Sequence, residues 1–366
     1  MSQPIGAVDS MGGQKNLKIR PEADARRILI IQTAFLGDAV LTTGLVREVK
    51  KSFPSSRIDV LINPKTIDVF RHNPHVGRIW TIDKRNPAVK AFSFLRLVAA
   101  IRKNGYGMAF SVQGSRTSSL LMAMARIPRR IGFDNQTLLT DAVPLDRKIH
   151  AGQRHLKLLE HLTGETHDSQ TEIFWSEKER VNSKKILGEA GNENAALLGI
   201  APGSIWNTKR WPEEHFVALL DLLSGENIRV FLFGGREDRA LCDRIIARSR
   251  SNAVNTAGSL SILESCSLIH ELDLLVSNDS APLHIANAVQ TDVFAIFGPT
   301  VREFGFFPFR KNDRIFEVDL PCRPCSKHGG KRCPEKHFKC MRDMQPSTVA
   351  EAVLSRLRGK KVPRLR

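Results

Sequence analysis

The hydrophobic positions of this chain fall into short apolar runs separated by helix-length amphipathic stretches, and that order occurs twice. From Arg27 the run Ile28-Leu29-Ile30-Ile31 has strand length and β-branched character. It breaks at Thr33-Ala34-Phe35-Leu36-Gly37-Asp38 before a helical pattern that lasts to Lys51. Residues 57–62 and 79–82 read as further strands, 92–103 as a helix, 108–112 as a strand running into Gln113-Gly114-Ser115, and 153–162 as a helix. Residues 163–171 are polar and aperiodic, which predicts an interdomain linker. The second half restarts with a strand at 197–201 leading to Pro202-Gly203-Ser204 and a helix from Pro212. A strand at 230–233 then meets Gly234-Gly235 and a helix at 236–249, and one at 274–277 meets Asn278-Asp279-Ser280 and a helix at 282–288. The run 293–297 meets Gly298-Pro299-Thr300, 316–318 reads as the last strand, and 347–358 as a terminal helix.

Strands alternating with helices predict an α/β protein with mostly parallel sheets. In open parallel sheets ligands bind at the carboxyl edge, where helix N-termini present free amides to anions. The small Gly- or Ser-bearing turns after the strands are therefore the places to search for chemistry. A chain of 366 residues with 42% hydrophobic composition is long enough for two cores. The expected division is a disordered leader at 1–26, a first domain at 27–165, a linker and approach at 166–195, a second domain at 196–345, a terminal helix at 346–358 and a basic tail at 359–366.

No apolar run approaches the ~20 residues that span a bilayer, and the leader has no apolar core of the secretory kind, so a cytoplasmic protein is expected. The formal net charge of +17 points to a polyanionic partner: nucleic acid, an anionic membrane surface or a phosphorylated substrate, set against a merely solvated basic surface. Many of the cations cluster in residues 323–342 and 356–366, which predicts a basic edge.

Three segments carry candidate chemistry. Asp38 follows the first strand at the start of the first helix, where an Asp is either an N-cap or, beside Gly37 on the ligand edge, a base. In the loop from Pro202 to Pro212, two of the four Trp flank Lys209 and Arg210, cations suited to clamping a diphosphate. Asp279, Ser280 and His284 surround a helix start set by Pro282, with His284 either a ligand or a core histidine. There is no Gly-x-Gly-x-x-Gly or Gly-x-x-x-x-Gly-Lys-Ser/Thr pattern, which argues against dinucleotide oxidoreductases and P-loop NTPases. No Asp-x-Asp pair occurs to hold a nucleotide diphosphate through a divalent metal. Cys322, Cys325, Cys333 and Cys340 crowd into one basic segment, open to a structural zinc, to unligated reduced thiols, or to a disulfide or iron-sulfur cluster.

Taken together, these segments resemble the family 9 glycosyltransferases, the ADP-heptose:lipopolysaccharide heptosyltransferases. The resemblance rests on Leu36-Gly37-Asp38-Ala39-Val40-Leu41-Thr42, Gln113-Gly114 with Arg116 and Ser118, and Arg130-Ile131-Gly132-Phe133. It continues through Trp206-x-x-Lys209-Arg210-Trp211-Pro212, Gly234-Gly235 with Glu237-Asp238, Asn278 through His284, and Phe297-Gly298-Pro299-Thr300. It implies a GT-B fold, two Rossmann-like doubly wound domains facing a cleft, with the final helix expected to cross back to the first domain. It implies Asp38 as general base and Lys209 as the cation that neutralises the departing diphosphate. The donor would be an ADP-linked heptose held by Ser204, Lys209, Arg210, Gly234, Gly235, Glu237, Asp238, Asp279, Ser280 and His284. The acceptor, a lipid A–core glycolipid, would lie on Gly37, Thr42, Gln113, Arg116 and Ser118. Transfer would be inverting and would need no metal cofactor, and the protein would sit peripherally on the anionic inner membrane, with no nucleic-acid partner. Thr43-Gly44 departs from the Thr-Pro of many members and bears on how the acceptor is positioned. The rivals are a relative using another nucleotide sugar and a non-catalytic basic binding protein on the same fold.

Overall fold

The structure, a computed structural model, describes residues 26–82, 87–189 and 194–358; the leader to residue 25 and the tail 359–366 lie outside the described residues. The first sheet holds β1 Arg27–Gln32, β2 Arg57–Ile62, β3 Val76–Thr81, β4 Met108–Ser111, β5 Arg129–Phe133 and β6 Asp141–Val143. They are all parallel, in the order β3-β2-β1-β4-β5-β6. The second sheet holds β7 Ala196–Ala201, β8 Ile228–Leu232, β9 Val254–Asn255, β10 Leu274–Asn278, β11 Val293–Ile296 and β12 Arg314–Phe316. These too are parallel, ordered β12-β11-β10-β7-β8-β9, so the same winding occurs twice. This is the α/β two-domain Rossmann-like architecture that the alternation predicts.

The first domain's helices are α1 Leu36–Ser52, α2 Ile67–Phe70, α3 Pro87–Asn104, α4 Arg116–Met124 and α5 Ala151–Thr163. They are followed by α6 Glu177–Glu189, α7 Glu213–Leu223, α8 Arg239–Ala247, α9 Ile262–His270, α10 Ala281–Ala288, α11 Lys339–Arg342 and α12 Pro346–Arg358. Helices on both faces explain why β1 reads as an unbroken apolar run: Ile28 and Ile30 pack on one side of the sheet, Leu29 and Ile31 on the other. Helix α1 is buried nearly all round because it lies between α5 of its own domain and α10 of the other. Helices α2, α4, α6, α9 and α11 and strand β5 escape the sequence reading, and so do strands β6 and β9. The two strands are three and two residues long, too short to show a period. Strand β5 opens with two arginines, and β12 ends at Phe316, where the pattern predicts the last strand to begin.

The predicted linker is packed rather than free. After α5 the chain runs along α1, where Arg47 Nη2 donates to Asp168 O at 2.9 Å and the Glu172 amide donates to Thr43 Oγ1 at 3.0 Å. A Cβ at Gly44 would lie 2.8 Å from Gln170 O, so the glycine makes room for this crossing chain. Helix α6, inside the expected linker, docks on α9, with Asn182 Nδ2 donating to Glu264 at 2.6 Å and the Ser183 and Ser267 hydroxyls 2.8 Å apart. The terminal helix α12 does not cross back to the first domain. Its stripe of Val349, Val353 and Leu357 joins the cluster around Trp211 and Phe216, it lies on α7, and Arg358 pairs with Glu226 at 2.7 Å. Arg356 is likewise held by Asp292, so two cations of the expected basic edge are already neutralised.

Trp211 joins this helix layer to the ligand loops: its amide donates to Asn278 Oδ1 at 3.1 Å and its indole to Met344 O at 3.0 Å. Trp211→Ala should cost ~3–5 kcal/mol in urea unfolding, and Trp211→Phe clearly less, because a six-membered ring still fills most of the site and the losses are part of the indole volume and its hydrogen bond.

Candidate active site in the cleft between the domains

In a doubly wound sheet the crevice opens where the strand order reverses. In the first sheet that point lies between β1 and β4, and it is spanned by Thr33 Oγ1 donating to Gln113 Oε1 at 3.0 Å. In the second it lies between β7 and β10, and it is spanned by Lys209 Nζ on Asp279 Oδ2 at 2.6 Å. The two crevices face each other across packed helix starts: a Cβ on Gly37 would stand only 2.7 Å from His284 Cδ2.

Asp38 occupies the first turn of α1 behind Phe35, the N-cap residue, which makes no side-chain cap. Its carboxyl is pushed up to about 6, chiefly by burial; hydrogen bonds from the Phe35 amide and its own amide oppose the rise, as do the charges of Arg154 and Lys209. Phe35 and not Asp38 is therefore the N-cap, and Asp38 stands three residues on with its carboxyl poised near 6 at the meeting of both domains. Thr42 and Ser118, expected on the acceptor, are buried instead. Thr42 Oγ1 donates to Asp38 O at 2.8 Å and accepts from Gln32 Nε2 at 3.2 Å, so it braces the turn that carries Asp38. Gln113 and Arg116 are exposed at the carboxyl edge, where an acceptor could reach them.

Asp279 is buried, and it also accepts from Thr300 Oγ1 at 2.6 Å. Asn278 beside it donates to Pro202 O at 2.8 Å and accepts the Trp211 amide, closing the Lys209 loop at both ends. Arg210 turns inward, its Nε donating to Ser204 O at 2.7 Å, and so stiffens the loop. Ser280 Oγ makes only long contacts, 3.4 Å to Asn278 O and 3.5 Å to Gly203 O. Asp238 accepts the Gly235 amide at 3.0 Å and packs against Gly203 and Gly234, which makes it a loop brace, whereas Glu237 is exposed. His284 is buried, and its Nδ1 has no partner among the described residues. Burial, aided by the nearby His150 and Lys209, pushes it down to about 3, so the imidazole is neutral.

Sequence reasoning misses Arg154, Asn278 and Thr300. The last two stand inside motifs that could have flagged them. Arg154 has no local signal: from α5 it donates to Ile149 O at 3.1 Å and, across the domain boundary, to Phe304 O at 3.3 Å. Beside it the Ala151 amide donates to Gly305 O at 2.7 Å, and His150 Nε2 lies 3.1 Å from Phe307 O.

The cysteine segment lies over the Lys209 loop, with the Gly330 amide donating to Thr208 Oγ1 at 2.7 Å and the Thr208 amide to Gly330 O at 3.1 Å. Arg323 is buried, not part of an exposed edge; it donates to Thr300 O at 2.9 Å and pairs with Glu317 at 2.7 Å. The four thiols are free, and Cys340 is pushed up to about 11 by burial and by the neighbouring Cys325 and Cys333. Cys322 Sγ lies 3.9 Å from His337 Nε2, yet among the described residues no three His, Cys, Asp or Glu side chains converge as a metal site.

The model of glycosyltransferase family 9 (heptosyltransferase) matches residues 94–338. Lipooligosaccharide heptosyltransferase 2 of Campylobacter jejuni is 25% identical over 334 residues, covering 89% of this chain and 98% of that protein. The crystal structure of a family 9 glycosyl transferase from Veillonella parvula superposes with a TM-score of 0.82 at 22% identity, over 93% of this chain and 99% of that one. An E. coli heptosyltransferase solved with ADP-2-deoxy-2-fluoro heptose gives 0.66 at 17% identity, over 90% and 99%.

The raised Asp38 carboxyl has a consequence for stability. A folded-state value of about 6 lies above the unfolded value of 3.8, so the stabilising protonated form is complete below 3.8 and lost as pH rises through 6. Asp38→Asn, which mimics that form, should raise the melting temperature at pH 8 and leave it nearly unchanged at pH 3.5, as scanning calorimetry at the two pH values would read. Destabilisation at pH 8 would show that the ionised carboxylate is a net structural asset.

Proposed function

The chain belongs to glycosyltransferase family 9 (heptosyltransferase), and from that premise we propose that it transfers a heptose from an ADP-linked donor to the lipopolysaccharide inner core at the cytoplasmic face of the inner membrane. The observation that carries the reading is the pairing of a carboxyl poised near 6 on the first domain with the Lys209–Asp279 pair on the second, across one cleft. Ionised Asp38 takes the proton from an acceptor hydroxyl as its oxygen attacks the anomeric carbon. The bond from that carbon to the diphosphate breaks in the same displacement, so the configuration inverts. Lys209 then meets the growing charge on the leaving group, with the amides at the start of α10 beside it. Ser280 and the orphaned imidazole of His284 hold donor sugar and phosphates, and exposed Glu237 the ribose. Gln113 and Arg116 face the acceptor. Cations and a helix dipole handle the diphosphate, so the reading gives a divalent metal no role. Among the described residues no helix is long and apolar enough to cross a membrane; contact with the bilayer is proposed as peripheral. The nearest rival, a different nucleotide sugar, is separated by asking which nucleotide sugar raises the melting temperature.

Asp38→Ala should lose ~10²–10⁴-fold in turnover with donor binding retained. In the wild type, kcat/KM should fall tenfold per pH unit below about 6, because protonation removes the base. Lys209→Ala should depress kcat even at saturating donor; full rescue by donor would reduce the lysine to ground-state binding. Treatment with a chelator should leave turnover unchanged, and elemental analysis of the same sample reads whether zinc accompanies the cysteines.

A further inference from the structure

From Lys84 to Phe133 the chain contains ten Lys and Arg residues and no Asp or Glu. This acid-free stretch includes both helices that cover one face of the first sheet. Val98 and Ile101 of α3 and Leu121, Met122 and Ala125 of α4 pack inward on Leu29, Ile31, Leu61 and Ala109. Among the described residues no further layer covers their outer side. There Phe92 is 66% exposed, Leu95 53% and Leu120 43%. Arg96 is exposed beside them, its guanidinium 5.6 Å from the Phe92 ring, and Arg102 and Lys103 are exposed in the last turn of α3.

The topology fixes where this surface points. In a parallel sheet every helix begins at the carboxyl edge, so Phe92, Leu95 and Leu120, none of them beyond the midpoint of its helix, stand toward the side where Asp38, Gln113 and Arg116 open to the cleft. Phe35, 59% exposed between β1 and α1, borders the same rim. Large apolar side chains ringed by cations and free of acids match a bilayer interface, where the rings enter the headgroup boundary and the cations meet anionic lipid. The charge of this stretch is all of one sign, which an anionic bilayer complements and a second copy of the same basic face would repel.

We propose that the outer face of α3 and α4 is the surface by which this protein lies on an anionic bilayer, with the acceptor side of its cleft turned toward the lipid. The surface rests on the reading of the acceptor as lipid-borne only for its purpose, not for its existence. An acceptor anchored by its acyl chains could then present its sugar to Asp38 without leaving the membrane.

The test uses the full chain with vesicles of phosphatidylglycerol and phosphatidylethanolamine, against vesicles of phosphatidylcholine alone. Cosedimentation should favour the anionic vesicles and weaken with salt. The triple variant Arg96→Gln, Arg102→Gln, Lys103→Gln should bind about fivefold more weakly per cation removed, and Phe92→Ser, Leu95→Ser, Leu120→Ser roughly tenfold more weakly. Both should keep wild-type transfer to deacylated core glycan in solution while losing transfer to lipid-borne acceptor in vesicles. Unchanged vesicle binding by both variants overturns the proposal. So does loss of binding only when Lys327, Lys331 and Arg332 of the cysteine segment are changed to Gln, or a dimer in ultracentrifugation that the apolar variant breaks. Failure of the wild type to transfer heptose to either acceptor would sink the functional reading instead, and the vesicle data would still decide the surface.

Discussion

Asp279 stands at the end of β10 with almost none of its surface in water, and a carboxylate so placed must be compensated by its surroundings. Lys209 from the loop after β7 and Thr300 from the loop after β11 both reach it at 2.6 Å. Three loops that leave three different strands therefore converge on one anion. Asn278, its neighbour, closes the Lys209 loop by bonding the backbone at both of its ends, and Arg323 holds the Thr300 loop from outside. The second half of the site is organised in advance, and its lysine carries a charge that an arriving diphosphate can share or draw away.

The first domain follows the same winding with the opposite electrostatic choice. At its crevice the carboxyl of Asp38 is given backbone amides and the charges of Arg154 and Lys209 but no side-chain hydrogen bond among the described residues, so burial dominates and pushes it up to about 6. Asp279, by contrast, is met directly by Lys209 Nζ and Thr300 Oγ1, each at 2.6 Å. The two carboxylates thus differ in role because their neighbours differ, although each follows the strand that flanks a topological switch point.

The fold is readable from sequence because buried parallel strands announce themselves as continuous β-branched runs, and Arg57–Ile62 matches its predicted range to the residue. The site is readable as far as its members are contiguous: Lys209 with its loop, and Asp279 with its helix start. What the sequence hides is long-range. Thr42 has the look of a ligand contact, but its hydroxyl is turned to the backbone one helical turn back. Arg323 counts as one more surface cation until the loop it ties down is visible. Arg154 acts on Asp38 from a helix more than a hundred residues along the chain, and no local pattern marks it. The terminal helix fails for a related reason, since an amphipathic stripe says that a face is buried but not against which domain.

Gly37 and His284 bring the two domains as close as their backbones allow. A methyl group at position 37 would strike the imidazole, whose Cδ2 lies 2.7 Å from where that carbon would be. Glycine here acts as a missing wedge, and any larger residue would prop the cleft ajar. Because the contact lies beside the proposed base, the separation between the domains and the reach of that base are one mechanical variable. A side chain introduced at position 37 would therefore shift the spacing of the two domains and the placement of Asp38 together.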